Sequence, residues 1–380
     1  MLFFRQVFVA ASVCALGVCS IALGQQAPSP DPGVADLERV LKQEDSIAPV
    51  SRVMGYRIVA SAVKPYMHGT LVGDWIWRDG AQPQPNTFEL REAHLYFGAH
   101  ILEVAQPEVF VQFEHHSQTD SGFSVRYAQL DLSAYKELLV FRIGLFLVPF
   151  GVYNTDLFLR YVAKLPERPE IHRRLVPSAW NEVGIQARGR WSWGQGRALS
   201  YAFYLTNGLF LPADTSATST VQPSAAIRSP AGAKSFGGRV GVDLFEGLSI
   251  GLSGYNGALN GENGAYQLIG LDAIFRYGPF SLDGEALTGR ESVTDSETVT
   301  KQGYYLAVGY RVTNWFEPVA SIERVNATAI YQASDVWGGF NIYPFPVEFP
   351  TIVLKAAYGR RIPTAGPASN MVTIQLVLGY

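Results

Sequence analysis

The chain is 380 residues long, with 48% hydrophobic and 13% aromatic residues, 37 glycines and a formal net charge of −3. This slightly acidic balance excludes a nucleic-acid partner, which needs a strongly basic face. Both cysteines, Cys14 and Cys19, precede Gly24, so a chain cleaved there has neither a disulfide nor a cysteine-ligated metal.

Residues 1–24 hold one basic residue, Arg5, an apolar run from Val7 to Leu23, and a small-x-small ending at Ala22-Leu23-Gly24. That pattern predicts a cleaved signal peptide and export, since no second apolar stretch of about 18 residues follows. Residues 25–63 read as a periplasmic lead-in. Gln25 to Gly33 (QQAPSPDPG) is a proline-rich linker, and Val34 to Glu44 (VADLERVLKQE) predicts a short helix with Val34, Leu37, Val40 and Leu41 on one stripe.

From residue 64 to 380 the dominant period is two. Sixteen alternating segments are expected at 65–78, 87–101, 107–116, 123–133, 138–148, 180–191, 198–207, 236–245, 248–257, 266–277, 279–289, 301–311, 315–325, 335–343, 351–360 and 371–380. Their connections sort by length. Ser192 to Arg197, Glu246-Gly247, Gly278 and Val312 to Asn314 are tight, whereas 149–179, 208–235, 290–300 and 326–334 are long. Short turns at one end and long loops at the other, with an even strand number, are the organisation of an all-β transmembrane antiparallel barrel in the bacterial outer membrane. The Ser/Thr/Ala/Pro-rich tract Ala213 to Ala233 cannot bury enough apolar area to order itself and is expected as a mobile extracellular loop.

The final segment, Asn370 to Tyr380 (NMVTIQLVLGY), puts Val372, Ile374, Leu376, Leu378 and Tyr380 on one face and Thr373, Gln375 and Val377 on the other. An apolar row facing lipid and a more polar row facing water is what a closing barrel strand needs. Leu376, Leu378 and the aromatic carboxy-terminus Tyr380 are expected to serve as the signal read by the barrel assembly machinery. Trp75, Trp77, Trp191, Trp193, Trp315 and Tyr380 lie near segment ends, as interfacial girdles do.

The run Arg142 to Gly151 (RIGLFLVPFG) resembles the strand-to-loop signature of the phosphate-selective porin O and P family. Phe88 to Phe97, Trp180 to Gly189, Tyr201 to Gly208, Gly284-Glu285, Gly303 to Tyr305 and Gly338 to Pro344 agree in the same order over about residues 65 to 380. The resemblance implies a homotrimer of sixteen-stranded barrels in outer-membrane lipid, with the loop after the fifth strand folded into the pore. Leu145 and Leu147 depart from the polar or basic residues of relatives, and Glu92 and His94 depart from an often arginine-rich stretch. The expectation carried forward is therefore a general preference for anions.

Read residue by residue, the loop from Phe150 to Ala179 holds Arg160, Lys164, Arg168, Arg173 and Arg174 against Asp156, Glu167 and Glu170. Strand parity adds Arg142, Arg188 and Arg190 to the lumen, because Phe141, Ile143, Val183 and Ile185 take the other face. Arginine and lysine rings attract and partly dehydrate anions in a narrow passage. The same parity turns Glu114, Asp131, Glu182, Asp243, Asp272, Asp283, Glu285, Glu317 and Glu323 inward. Facing basic and acidic walls would set up a transverse field.

No catalytic, metal or cofactor site is expected. His115 and His116 point to opposite faces, and His94 and His100 lie about 20 Å apart along a strand. The leading reading is a passive porin for small hydrophilic or anionic solutes. A barrel enzyme of lipase or protease type, needing a Ser, His and acid constellation at the rim, and a structural or adhesion barrel with a plugged lumen are the alternatives.

Overall fold

In a computed structural model the described residues run from Val63 to Tyr380, except 81–83, 102–104, 117–118, 178–179, 195, 211–223, 226–233, 259–263, 294–297 and 328–331. The expected leader, the expected lead-in helix and most of the 213–233 tract therefore lie outside the described residues.

Sixteen strands close into one antiparallel barrel. They are β1 (Val63–Arg78), β2 (Gln84–Ile101), β3 (Ala105–His116), β4 (Thr119–Tyr135), β5 (Leu139–Leu147), β6 (Asn181–Ser192), β7 (Ala198–Thr206), β10 (Ser235–Phe245), β11 (Leu248–Ala258), β12 (Gly264–Tyr277), β13 (Phe280–Val293), β14 (Val299–Tyr310), β15 (Phe316–Asn326), β16 (Gln332–Ile342), β17 (Val353–Pro363) and β18 (Ser369–Gly379). The short β8 (Leu209–Phe210) and β9 (Ser224–Ala225) pair with each other outside the barrel, so β7 pairs directly with β10. The barrel closes where β1 meets β18, from Thr70 opposite Gly379 to Arg78 opposite Met371. Closure satisfies every edge, which a wall in hydrocarbon requires.

Each expected segment corresponds to a strand, because the alternation that signals it is local. In β18, Ile374 and Leu376 are exposed on the outside, as is Tyr380 just past its end, while Thr373 and Gln375 are buried inside. Tight turns hold the opposite end. Gly247 closes the β10–β11 turn at φ +102°, and a Cβ there would meet the Arg276 carbonyl oxygen at 2.0 Å, so only glycine fits. Two details differ from the sequence reading. The connections expected at 290–300 and 326–334 are shorter, because β13 runs on to Val293, β14 begins at Val299 and β16 begins at Gln332. At the turn end, the β16–β17 connection is long, spanning 343–352.

Loops 148–180 and 207–234 share the other end, the loop end. The first folds inward and gives the barrel an apolar core. Phe150, Tyr153, Leu157, Ile171 and Leu175 of the loop pack with Trp180 against inward-facing Tyr204, Tyr255, Tyr266, Leu268, Leu287 and Tyr305 of the wall. Leu165 joins a second cluster with Ile76, Val319 and Trp337. Inward tyrosines on alternate positions thus make a seat for a loop rather than a row of wet lumen groups.

Candidate passage and inserted loop

The loop leaves β5 through Pro149, makes a π-helical turn at Tyr153–Leu157 and a single helical turn, α1 (Ile171–Arg174), and returns at Trp180. Asn154 ties its two ends together. The Asn154 amide nitrogen donates to the carbonyls of Val148 (2.7 Å) and Trp180 (2.8 Å), and its oxygen accepts the Trp180 N–H at 2.8 Å.

Wall carboxylates fasten the rest. Glu285 of β13 accepts the backbone N–H of Val152 (2.6 Å) and Tyr153 (2.5 Å) and lies 2.6 Å from the His172 Nε2 atom. Successive N–H groups in this curled backbone form an anion nest. Gly151 makes the curl possible at φ +68°, where a Cβ would come within 2.7 Å of the Glu285 carboxylate. The His172 ring stacks on Tyr153 with centroids 4.6 Å apart. Glu182 of β6 accepts from the Trp180 indole and the Gly208 N–H, both at 2.8 Å.

The far side of the loop is held by ion pairs. Glu92 of β2 binds Arg160 at 2.7 Å and Arg168 at 3.0 Å, and Asp283 of β13 binds Lys164 at 2.5 Å. Arg91 bridges Asp74 (2.7 Å) and Glu167 (2.8 Å). Burial works to raise the Glu167 carboxyl, but Arg91 and Arg173 bring it down to about 2. Glu170 takes Arg173 (3.1 Å), Arg174 (3.2 Å) and, from β17, Arg361 (2.6 Å), while its N–H donates to Glu323 at 2.6 Å. Lys355 donates to the Arg160 and Ala163 carbonyls and so caps a loop turn.

Arg160, Lys164 and Arg168 are only 3%, 8% and 7% exposed. The structure thus puts these three, expected from the sequence to face the passage, against wall carboxylates instead. Arg173 and Arg174 stay partly exposed on α1. Acids and bases pair with near neighbours, so the transverse field of two facing walls is not the arrangement found.

On the turn-end side of the loop lies a cavity of about 780 Å³. Tyr96, Tyr127, Phe158 and Leu159 border it, and Arg142, Arg188, Arg190 and Arg239 line it on β5, β6 and β10. Asp131 carries two of these arginines, Arg142 at 2.7 Å and Arg188 at 2.5 Å. Arg190 pairs with Asp243 at 2.6 Å and Arg239 with Asp272 at 2.5 Å. The arrangement is layered. The Arg188 side chain is 41% exposed over an Asp131 side chain that is 8% exposed, and Arg190 is 51% exposed over Asp243 at 22%. At these two pairs the guanidinium tips meet the solution and the carboxylates lie behind them, whereas Arg142 and Arg239 are largely covered. Glu137 and Asp156 also border the cavity, where burial pushes the Asp156 carboxyl above its ordinary range. A second cavity of about 410 Å³ shares Glu137, Val140 and Arg188 with the first.

Arg239 was absent from the sequence-level set although its signal was there: it shares parity with Asp243, opposite to Val240 and Val242. Asp74 and Glu92 were missed for different reasons. Asp74 follows the parity of β1, whereas neighbouring Arg91 and Glu92 both reach the loop, so alternation is broken at that point of β2. Glu114 pairs in register with Glu92 across β2 and β3, and its side chain lies outside the described residues. Among the described residues no group of three or more His, Cys, Asp or Glu could hold a metal.

No protein-family model matches the chain. It is 24% identical over 318 residues to an uncharacterised protein of Aquifex aeolicus, covering 72% of this chain and 70% of that relative. Among solved structures it is similar to an anion-selective porin from Comamonas acidovorans, with a TM-score of 0.61 and 14% identity over 84% of this chain and 100% of that one. It is also similar to OmpT, an outer membrane protein of Vibrio cholerae in a trimer form, with a TM-score of 0.56 and 11% identity over 84% and 100%. What is shared is the porin-type barrel. The finer kinship expected from the sequence, with phosphate-selective porins, has no matching family model behind it.

Proposed function

We propose that this protein is an outer-membrane porin through which small hydrophilic solutes diffuse passively, with anions favoured. The observation that carries the reading is the closed sixteen-stranded barrel with a loop fastened inside it and exposed guanidiniums bordering the remaining space. Arg142, Arg188, Arg190 and Arg239 act as stepping contacts for anions, and the acids behind them keep those contacts weak enough to release. Arg160, Lys164 and Arg168 act on the solute indirectly by fixing the loop, and Arg173 and Arg174 add positive field on α1. No chemical step is assigned. The protein is exported by its signal peptide, inserted through recognition of Leu376, Leu378 and Tyr380, and assembled as a homotrimer with the loop end outside the cell. Kinship with phosphate-selective porins belongs to this proposal too.

The test is single-channel current in a planar bilayer with a potassium chloride gradient. A reversal potential on the chloride side is expected, shifting toward potassium when Arg188, Arg190 and Arg239 are changed together to Glu. Absence of current from correctly folded trimers would favour a structural or adhesion barrel. A lower conductance for phosphate than for chloride, without mutual block, would remove the phosphate-selective kinship and leave the porin reading intact.

A further inference from the structure

The outer face of the wall from β10 to β18 is apolar except at one level. Among the described residues its outward positions carry three charges, Arg290, Arg324 and Arg360, and no acid. All three are exposed and lie close to the loop-end termini of their strands, which end at Val293, Asn326 and Pro363. Among the described residues none of them makes an ion pair; Asp79, in the adjoining β1–β2 connection, is a carboxylate whose field reaches Arg360. The turn end is rimmed differently, by exposed Trp191, Tyr277, Tyr310, Trp315 and Tyr380.

A charge on the lipid face is costly at mid-membrane and nearly free near the interface. Three unaccompanied arginines at one level are cheap only if they meet head groups, and they are useful only if those heads are anionic. Beneath Arg324 the outer wall has a groove of about 550 Å³. Ala286 forms its floor between the larger Ile269, Leu271 and Tyr304, and Gln302, Arg324 and Asn326 stand at its loop-end lip. An apolar trench with a basic and amide lip has the polarity of one acyl chain below a phosphorylated head.

We infer that β13, β15 and β17 form a binding site for a phosphorylated glycolipid of the outer leaflet, its acyl chain in this groove and its phosphates on Arg290, Arg324 and Arg360. The three arginines stand on alternate strands. Arg290 lies opposite Thr300 and Arg324 opposite Tyr304, while Arg324 lies opposite Ser334 and Arg360 opposite Val336. At ordinary strand geometry this puts them about 16 Å and about 12 Å apart, so a head with two phosphates can engage Arg324 and Arg360 at once. Bidentate guanidinium–phosphate pairing supplies the affinity. The site rests on the orientation proposed above, with the loop end in the outer leaflet.

The experiment uses the full-length trimer purified in detergent, with native mass spectrometry reading bound lipid. The probes are diphosphorylated lipid A, its monophosphorylated form, phosphatidylglycerol and phosphatidylethanolamine. Lipid A is expected to be retained about tenfold better than the other three, and Arg290→Gln, Arg324→Gln and Arg360→Gln combined to lose that advantage while conductance is unchanged. The matching triple Lys variant is expected to recover part of it. Equal retention of all four lipids, or an unaltered preference in the triple Gln variant, would overturn the site. So would a change of oligomeric state in that variant, which would make the groove a contact between copies. Orientation is read separately by labelling Ser219→Cys on intact cells with a charged maleimide. Labelling without lipid A preference sinks the site alone, whereas lack of labelling together with preference for phosphatidylglycerol sinks the orientation.

Discussion

Arginine–carboxylate pairs occur in two regions of the lumen, and burial separates what they do. Where the loop meets β2 and β13, Glu92, Arg160, Arg168, Asp283 and Lys164 are all less than a tenth exposed. On β6 the guanidiniums of Arg188 and Arg190 reach solution over less exposed acids. A buried pair loses hydration on both ions and regains it only through close, multiple bonding, so removing one partner is severe. An exposed pair contributes little to stability, yet its cation remains available to a passing anion. The same residue types therefore act as fasteners in one place and as solute contacts in the other.

The comparison is most directly broken at Glu92. Glu92→Leu strands Arg160 and Arg168 in a dry site, and a loss of about 3–5 kcal/mol of loop attachment is expected. The barrel should still assemble, while single-channel current becomes larger and noisier and the loop is cut by protease in detergent. Quiet current of unchanged size would mean that the inward apolar contacts hold the loop alone.

Glu285→Ala comes next, since it leaves the N–H groups of Val152 and Tyr153 without their acceptor, at about 1–3 kcal/mol for each buried donor. Gly151→Ala is expected to loosen the same nest, by about 1–3 kcal/mol from the left-handed backbone together with the displacement of the Glu285 carboxylate that a Cβ would meet at 2.7 Å. Both are read by hydrogen exchange of the 150–157 amides; protection equal to wild type in Glu285→Ala would show that the nest is not what holds the turn.

The exposed region should respond in selectivity and not in stability. Changing Arg188 and Arg190 to Glu should move the reversal potential toward cation preference, with the thermal midpoint of the barrel nearly unchanged. Arg190→Gln alone should cost about 0–1 kcal/mol and shift the reversal potential least. If the Arg160, Lys164 and Arg168 triple Glu variant moved the potential while its loop stayed protected, the division between fasteners and contacts would be wrong.

Much of this was readable from local pattern. Parity placed Arg142, Arg188 and Arg190 on the inner face because their neighbours Phe141, Ile143 and Ile185 are lipid-facing, and each of those facts needs only a few residues of sequence. The fates of Arg160 and Lys164 were not readable. Their partners, Glu92 and Asp283, are separated from them by 68 and 119 positions, and nothing in the charge of the loop states which carboxylate it will meet. Glu285 is the sharpest case. Parity turned it inward as a lumen acid, but its part in holding the loop depends on Gly151, Val152, Tyr153 and His172 arriving from elsewhere.

By itself, then, the sequence determined the sixteen strands, their inward and outward faces, the placement of the tight turns and the identity of the long loop, because a period of two and turn chemistry are properties of neighbouring residues. Only the tertiary structure decided which charges are neutralised and which stay exposed. That outcome depends on distance and desolvation between groups far apart in the chain, and these come into being only when the barrel closes and the loop settles on its seat of tyrosines.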